Sequence, residues 1–571
     1  MEIMSILDGV LLIGAYFVGM IAIVLFLRRR VQTKAEFLVA NRRASWVLTA
    51  FSMAATWVWA PSLFAAAEKA YTQGIAGVFW FVVPNILTLV LFAYFAKTMR
   101  DLRPYGWTFS DYIREKYSKR THNLYLIESF GLQVLSMAVQ LLAGAVIFHK
   151  ITGLPFFATT VALALVPLCY TFTSGIRSSL ATDFVKMGFI IATLLIGLPI
   201  MFCNAGVESF VSGLRGVSGQ FGSLFDKNGI GVALSFGLPT AIGLLSGTFG
   251  DQMFWQRTFS VRQKDVKRTM LLAAAIFAVV PISLSIFGFF AAGAGLTISD
   301  TQLVNVGAVI AFTPRWFLYL FFVLVLSGLI STVDSILCAV SSVAGHDIQQ
   351  RILGNEKCLC LIRKNRILYR LFGTDIALAR TSMVVVSALA ICIANIPGIT
   401  ILYLFLLYGT LRSSVMLPTV FAIKGVQMSE RGMFYGILSA MVVGLPIFAY
   451  GNLTGSTPLI VAGSLFTIIV SGLLSLIVKD KKEATNKELS VKIDTTEIQR
   501  IFGNFREEIT GATAEMQGYA TATKRACETA VKMAAALARY EQQEKTRYNR
   551  LQELSRKRAR YIVKNTKRGN K

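Results

Sequence analysis

Residues 326–337 read LSGLISTVDSIL, flanked by RWFLYLFFVLV before and CAVSSV after. An otherwise apolar helix thus carries Gly328, two adjacent hydroxyls at Ser331 and Thr332, and a carboxylate at Asp334. Gly328 and Thr332 are four residues apart, so a helix stacks them one turn apart on one face. Two readings are open. The hydroxyls can bond back to helix carbonyls, which is common in membrane helices. They can also serve as neutral oxygen ligands for a hard cation such as Na⁺, which wants a cluster of oxygens.

The surroundings of this stretch set the class of protein. The chain has 571 residues, 54% hydrophobic and only 15% charged, with a mean hydropathy of +0.59. A soluble domain carries closer to a quarter charged residues. The apolar residues come in blocks of about 20, the length that crosses a bilayer core as helix. Spans are expected near residues 9–27, 46–66, 76–97, 124–147, 156–173, 181–203, 231–250, 269–296, 316–345, 379–396, 399–424, 432–450 and 457–477, about thirteen helices in all.

The formal charge of +26 does not point to nucleic acid, because of where it lies. Basic residues gather at 28–43, 97–120, 257–268, 350–371 and after 478, and the segment from Lys479 onward holds 22 Lys and Arg against 12 Asp and Glu. Loops rich in Lys and Arg face the cytoplasm, so the N-terminus is expected outside and the C-terminus inside. The first apolar block has acid before it and arginines after it, the reverse of a secretory signal, and is expected to be retained. Seven cysteines are scattered, and the lone Cys358-x-Cys360 pair falls short of the four ligands a structural zinc site needs. No organic cofactor is expected.

Two further features bear on function. The second span reads AFSMAATWVWAPSLFAAA, with Pro61 past its middle. Proline removes a backbone donor and clashes with the preceding turn, and freed carbonyls in lipid are tolerated only beside protein, water or an ion. The ninth span, with Gly328 beside its hydroxyls, is expected to be interrupted as well. Broken helices near the midplane point to a transporter binding site. Past residue 478 the character changes: 479–496 reads as a polar linker and 497–571 as a basic cytoplasmic helical tail, suited to a cytoplasmic protein or to anionic lipid headgroups.

SGLISTVDSILCAVSSVAGHDI (327–348) resembles the eighth-core-helix signature of the sodium:solute symporter family. SGIRSSLATDFVKM (174–187) is similar to the family's fifth-core-helix start, and GTFGDQMFWQR (247–257) to its Asp/Asn-Gln…Gln-Arg stretch after core helix six. The likeness runs over about residues 5–478, in the family's order. TWVWAPSL (56–63), QGIAGVFWF (73–81) and GTLRSSVMLP (409–418) look most like the urea-transporter branch.

The resemblance implies an all-α polytopic protein of the plasma (inner) membrane in residues 1–478. Its fold would be a LeuT-type five-plus-five inverted repeat with extra flanking helices, coupling Na⁺ influx to solute uptake. It implies Na⁺ ligands at the carbonyls of Ala55, Val58 and Gly328 and the hydroxyls of Ser331 and Thr332, with Asp183 on the sodium exit path. The solute would lie beside this site near the midplane, with Thr56, Trp57, Trp59, Gln133, Gln140, Gly247, Thr248 and Arg412 as candidate lining residues. Tryptophans can wall a flat small solute and glutamines can orient it.

Arg412 departs from the uncharged residue expected at that position in the urea branch. An arginine at the bilayer centre costs at least about 2.5–3.5 kcal/mol unless paired or hydrated. It could clamp a substrate carboxylate, which would shift the solute from urea to a small organic acid or zwitterion, pair with Asp334, or stand in for a second cation. Glu128 is expected near the cytoplasmic end of its helix, within reach of water or of Lys119 and Arg120. The competing reading is a membrane sensor or scaffold that signals through its tail. An enzyme is not expected, because no nucleotide-binding glycine loop, metal cluster or nucleophile–base pair is present.

Overall fold

The computed structural model describes residues 4–26, 33–353 and 355–478; the expected linker and tail lie outside the described residues. Among those described, the regular structure is helical. The long helices are α1 (Ile6–Phe26), α2 (Trp46–Trp57), α3 (Ala60–Leu102), α4 (Phe109–Lys116), α5 (Lys119–Thr152), α6 (Phe156–Ser174), α7 (Ile176–Gly213), α8 (Lys227–Gly250), α9 (Gln252–Ser260), α10 (Gln263–Gly293), α11 (Arg315–Leu353), α12 (Asp375–Ala394), α13 (Ile401–Ile423), α14 (Glu430–Thr454) and α15 (Thr457–Ile477).

Twelve helices are long and apolar enough to cross a membrane. One of them, α3, has 43 residues and would run about 65 Å if straight, twice a bilayer core. It breaks at Gly74, whose φ of 52° is a conformation glycine reaches without penalty. A Cβ there would sit 2.6 Å from the Leu214 carbonyl oxygen, to which Ile75 N–H donates at 2.9 Å. Residues 46–73 thus form one broken crossing and 75–102 the next, which recovers the thirteen expected spans.

The crossings fall into two sets of five with a matching feature. The first crossing of the first set is interrupted between α2 and α3. The first crossing of the second set is interrupted at Asp251, between α8 and α9 (φ −109°, ψ 120°). By contrast α11 runs unbroken through Gly328, which corrects the expectation of an interruption there. Gly328 serves close packing instead: a Cβ on it would come within 2.8 Å of Leu63 and 3.2 Å of Val58 side chains. The helix loosens further on, in a π-helical turn at Ala344–Ile348.

Burial decides which helices are central. In α5 and α11, 78% of the apolar window is buried, against 22% in α1 and 33% in α15. The outer helices leave Leu7, Leu11, Val18, Leu473 and Ile477 exposed. Such side chains suit hydrocarbon, since a helix satisfies its own backbone and asks nothing of lipid. α2 packs against α7, α10 and α11, α8 packs against α13, and α14 and α15 pair on the flank. Side-chain caps close several helix starts: Thr374 accepts from Ala377 N–H and Thr400 from Tyr403 N–H, both at 3.1 Å.

Candidate cation and solute site

The break after α2 is local chemistry. Val58 (φ −82°, ψ 78°) and Trp59 (φ −107°, ψ 173°) leave helical geometry, and α3 begins with Pro61 in its first turn, where a missing N–H costs nothing. The carbonyls ahead of the break therefore lose their helical donors. Thr332 Oγ1, on α11, lies 3.3 Å from the carbonyl oxygens of Thr56, Val58 and Gly328. One hydroxyl proton faces three acceptors, so at least two carbonyls there always lack its donation.

Of the five expected cation ligands, Val58, Gly328 and Thr332 converge here. The third carbonyl beside Thr332 is that of Thr56, one residue past Ala55, whose own oxygen accepts from Val58 N–H at 3.1 Å. Ser331 is turned the other way and donates to Asp183 Oδ1 at 2.7 Å. Asp183 thus touches the hydroxyl pair directly.

Behind Ser331 lies a buried polar cluster spanning α2, α6, α7, α9 and α11. Asp183 Oδ2 accepts from Ser52 Oγ at 2.6 Å, and from Ser179 Oγ and Arg257 Nη2 at 3.2 Å each. Asp334 Oδ2 accepts from Lys186 Nζ at 2.5 Å and from the Tyr170 hydroxyl at 2.6 Å, and its Oδ1 accepts from Ser179 Oγ at 2.9 Å. Lys186 Nζ is also 3.5 Å from Asp183 Oδ1. All four charged side chains are fully buried. Two carboxylates face two cations, so the cluster balances. Lys186 and Arg257 were not among the expected site residues, although a lysine inside the apolar run 181–203 was a visible signal.

The solute-lining candidates divide by what their polar atoms already do. Trp57 Nε1 donates to the Asn85 carbonyl at 3.1 Å, the Thr56 hydroxyl donates to the Ser52 carbonyl at 2.7 Å, and Thr248 meets the Thr88 hydroxyl at 3.0 Å. The Trp57 and Thr248 bonds tie helices together, as does the Thr56 hydroxyl through Ser335 Oγ at 2.9 Å, whereas its bond to Ser52 stays within α2. Gly247 gives room, since a Cβ on it would lie 2.3 Å from the Trp57 ring and 3.1 Å from Arg412 Nη1.

The remaining candidates keep buried atoms without a hydrogen-bond partner. Gln140 Oε1 accepts from Ala60 N–H at 2.8 Å, which leaves its Nε2 donor unpartnered. Gln133 Nε2 donates to Asp251 Oδ1 at 3.0 Å, which leaves its Oε1 acceptor unpartnered. Trp59 Nε1 and Arg412 Nε are likewise unpartnered. Buried polar groups are normally satisfied, which sets these four residues apart from the three that are fully engaged.

Arg412 does not pair with Asp334, whose oxygens are taken by Lys186, Tyr170 and Ser179. The guanidinium pairs with Asp251 instead, Nη2 to Oδ2 at 3.0 Å. Asp251 reaches it because the chain is extended between α8 and α9, and its Oδ1 also accepts from Met253 N–H at 3.0 Å, capping α9. The guanidinium carbon lies 4.3 Å from the Tyr408 ring centroid, 5.6 Å from that of Trp57 and 5.7 Å from that of Trp59, within cation–π range. Asp251 and Tyr408 were missed as site residues. Glu128 also departs from expectation: it is 1% exposed, far from the solvated position its sequence suggested.

A small cleft beside Arg412 is lined by Trp59, Thr240, Gly243, Phe405, Gly409 and Phe448 among others, with about 10 Å³ of free space. That is room for about one water. A solute would have to move Trp59 or Phe405, whose rings lie 5.0 Å apart.

Comparison with known proteins gives the family and the fold. The chain is 21% identical over 505 residues to the urea-proton symporter DUR3 of Oryza sativa subsp. japonica, covering 80% of this chain and 68% of that one. It is 24% identical over 458 residues to the sodium/pantothenate symporter of Haemophilus influenzae, covering 76% and 88%. The fold matches that of a Na⁺-coupled sialic acid symporter in a substrate-bound outward-open state, with a TM-score of 0.60, 16% identity, and coverage of 84% of this chain and 99% of that one. The architecture is the LeuT-type one, and residues 37–440 match the sodium:solute symporter family. The chain belongs to the sodium:solute symporter family, as a multi-pass secondary active transporter.

Proposed function

We propose that the chain couples inward movement of Na⁺ to uptake of a small, neutral, polar solute of the urea class across the plasma membrane, with its N-terminus outside. Sodium binds where Thr332 meets the carbonyls freed by the α2–α3 break, with Ser331 turning from Asp183 to join it and Asp183 lining the exit. The solute binds one layer away, against Trp59, Gln133, Gln140 and Arg412.

The observation that carries this reading is the set of unpartnered atoms. Gln140 Nε2 and Trp59 Nε1 are donors and Gln133 Oε1 is an acceptor, which suits a molecule with a carbonyl and N–H groups. The charge of Arg412 is cancelled by Asp251, which argues against an organic-acid clamp and for a neutral solute. Sodium is preferred over the proton named for the rice relative, because the Thr332 hydroxyl and three carbonyls meet at the break, with the Ser331 hydroxyl on the adjacent residue. Each Na⁺ moving down a 100 mV potential supplies about 2.3 kcal/mol before its concentration gradient is added. The sensor reading gains nothing from the relatives reported above, which are named as transporters.

The test is uptake of radiolabelled urea, acetate, proline and pantothenate into proteoliposomes, with and without an inward Na⁺ gradient. Sodium-dependent urea uptake is expected, and it should be lost in Ser331→Ala/Thr332→Ala. Uptake indifferent to sodium, or unchanged in the double variant, sinks the cation site. Uptake of acetate but not urea would restore the clamp reading of Arg412.

A further inference from the structure

The connection between α11 and α12 carries positive charge that the fold leaves unpaired. From Arg351 to Thr374 the chain holds six Lys and Arg against one acid, Glu356. In other basic stretches the cations find carboxylates: Lys97 pairs with Asp101, Arg103 with Glu115 and Arg268 with Asp265. Among the described residues, Lys357, Arg363, Lys364, Arg366 and Arg370 form no salt bridge.

The apolar side chains of this connection are uncovered too. It folds into two short helices, Glu356–Lys364 and Arg366–Phe372, each started by an asparagine cap: Asn355 accepts from Cys358 N–H at 3.3 Å and Asn365 from Leu368 N–H at 3.2 Å. Ile362 turns inward, whereas Leu361 is 61% and Ile367 68% exposed, with Leu371 exposed as well. Lys357, Leu361 and Lys364 share one face of the first helix, since they recur at helical spacing. On the second, Ile367 and Leu371 form a strip beside Arg366 and Arg370.

The depth of these helices follows from α12. That helix has 20 residues, about 30 Å, which just spans a bilayer core. The Thr381 hydroxyl lies 2.9 Å from the Leu371 carbonyl oxygen, and Thr381 is about 9 Å along α12 from its start. The second short helix is therefore folded back beside the first turns of α12, at the level where that crossing meets the headgroups.

We propose that the two helices are an interfacial site for anionic phospholipid. Leu361, Ile367 and Leu371 enter the upper acyl layer, and Arg363, Lys364, Arg366 and Arg370 hold the headgroups. The chain beyond residue 478 is itself basic, with 22 Lys and Arg against 12 Asp and Glu, so like charge opposes it as the cover. The site requires only that the chain cross a membrane and depends on neither the ion nor the solute carried.

The experiment places p-benzoylphenylalanine at position 361 or 367 of the full-length protein, in nanodiscs of phosphatidylcholine mixed with phosphatidylglycerol, and reads the photo-adducts by mass. Phosphatidylglycerol adducts are expected, enriched about fivefold or more over that lipid's share of the bilayer, the preference that one basic contact gives. Arg363→Glu/Lys364→Glu/Arg366→Glu/Arg370→Glu should remove the enrichment, with a monodisperse elution profile establishing that the variant is folded. Where it is not, a salt series on the unsubstituted sequence decides: enrichment should fall as ionic strength approaches about 1 M, where the Debye length is about 3 Å. Adducts to protein alone, no adduct at all, capture of phosphatidylglycerol only at its share, or enrichment that survives charge reversal or high salt would each overturn the site.

Discussion

Two buried ionic groups in this bundle differ in how fully the polar atoms around them are satisfied. Behind Ser331, Asp183 and Asp334 meet Lys186 and Arg257, two against two, every one fully buried. Around Gln133, Asp251 pairs with Arg412 one to one. The first cluster is saturated: its carboxylates accept from Ser52, Ser179 and Tyr170, and Arg257 donates to Ser335. The second keeps orphaned atoms on Gln133, Gln140, Trp59 and Arg412. A saturated, balanced cluster holds helices in register. An unsaturated one is poised to receive a ligand, because each orphan gains a partner when the ligand arrives.

The comparison breaks most readily at Lys186. Lys186→Met leaves two buried carboxylates with one guanidinium and is expected to destabilise by about 3–5 kcal/mol, measured by thermal unfolding in lipid nanodiscs. Adding Asp334→Asn should recover part of the loss. If Lys186→Met is neutral, the cluster is not an electrostatic unit. Arg412→Met strands Asp251 in the same way, but Gln133 and the Met253 N–H still donate to that carboxylate, so its cost should fall near the lower end of that range, about 3 kcal/mol. Its effect on solute uptake should exceed its effect on folding.

Gly247→Ala sharpens the picture by geometry rather than charge. A methyl group 2.3 Å from the Trp57 ring must displace either that ring or the backbone of α8, at about 1–3 kcal/mol. Uptake should fall while sodium binding, followed by sodium-dependent thermal stabilisation, is retained. The smallest effect is expected for Glu128→Gln, under about 1 kcal/mol, because an amide of the same shape replaces a carboxyl whose Oε1 makes no hydrogen bond. A loss as large as that of Lys186→Met would place Glu128 among the ionised, paired groups and erase the contrast.

Local chemistry explains which parts of the site were legible in the chain. Pro61 announced the α2–α3 break, and the break lies within three residues of it, because proline after a strained pair reads the same in any context. The Ser331-Thr332 pair with Gly328 one turn away announced a packed, oxygen-rich helix face. The interruption expected at Gly328 did not occur, since a single glycine in a well-packed helix is tolerated where a neighbour needs its space. Arg412 stood out as a charge in an apolar run, yet nothing near it in sequence pointed to Asp251, 161 residues away. Glu128 looked solvated because Lys119 and Arg120 suggested a nearby helix end; α5 does begin at Lys119, but packing of neighbouring helices already buries Glu128 to 1% exposure.

The chain by itself determined that this is a polytopic helical membrane protein, how many times it crosses, where one crossing breaks and which hydroxyls stand near that break. Those properties depend on composition, hydrophobic run length and backbone chemistry, all of which act over a few residues. Only the tertiary structure decided the pairing of charges: Lys186 with Asp334, Arg257 with Asp183, and Arg412 with Asp251. In a low-dielectric interior the worth of a charge depends on what lies within a few ångströms, and helices far apart in sequence supply those neighbours.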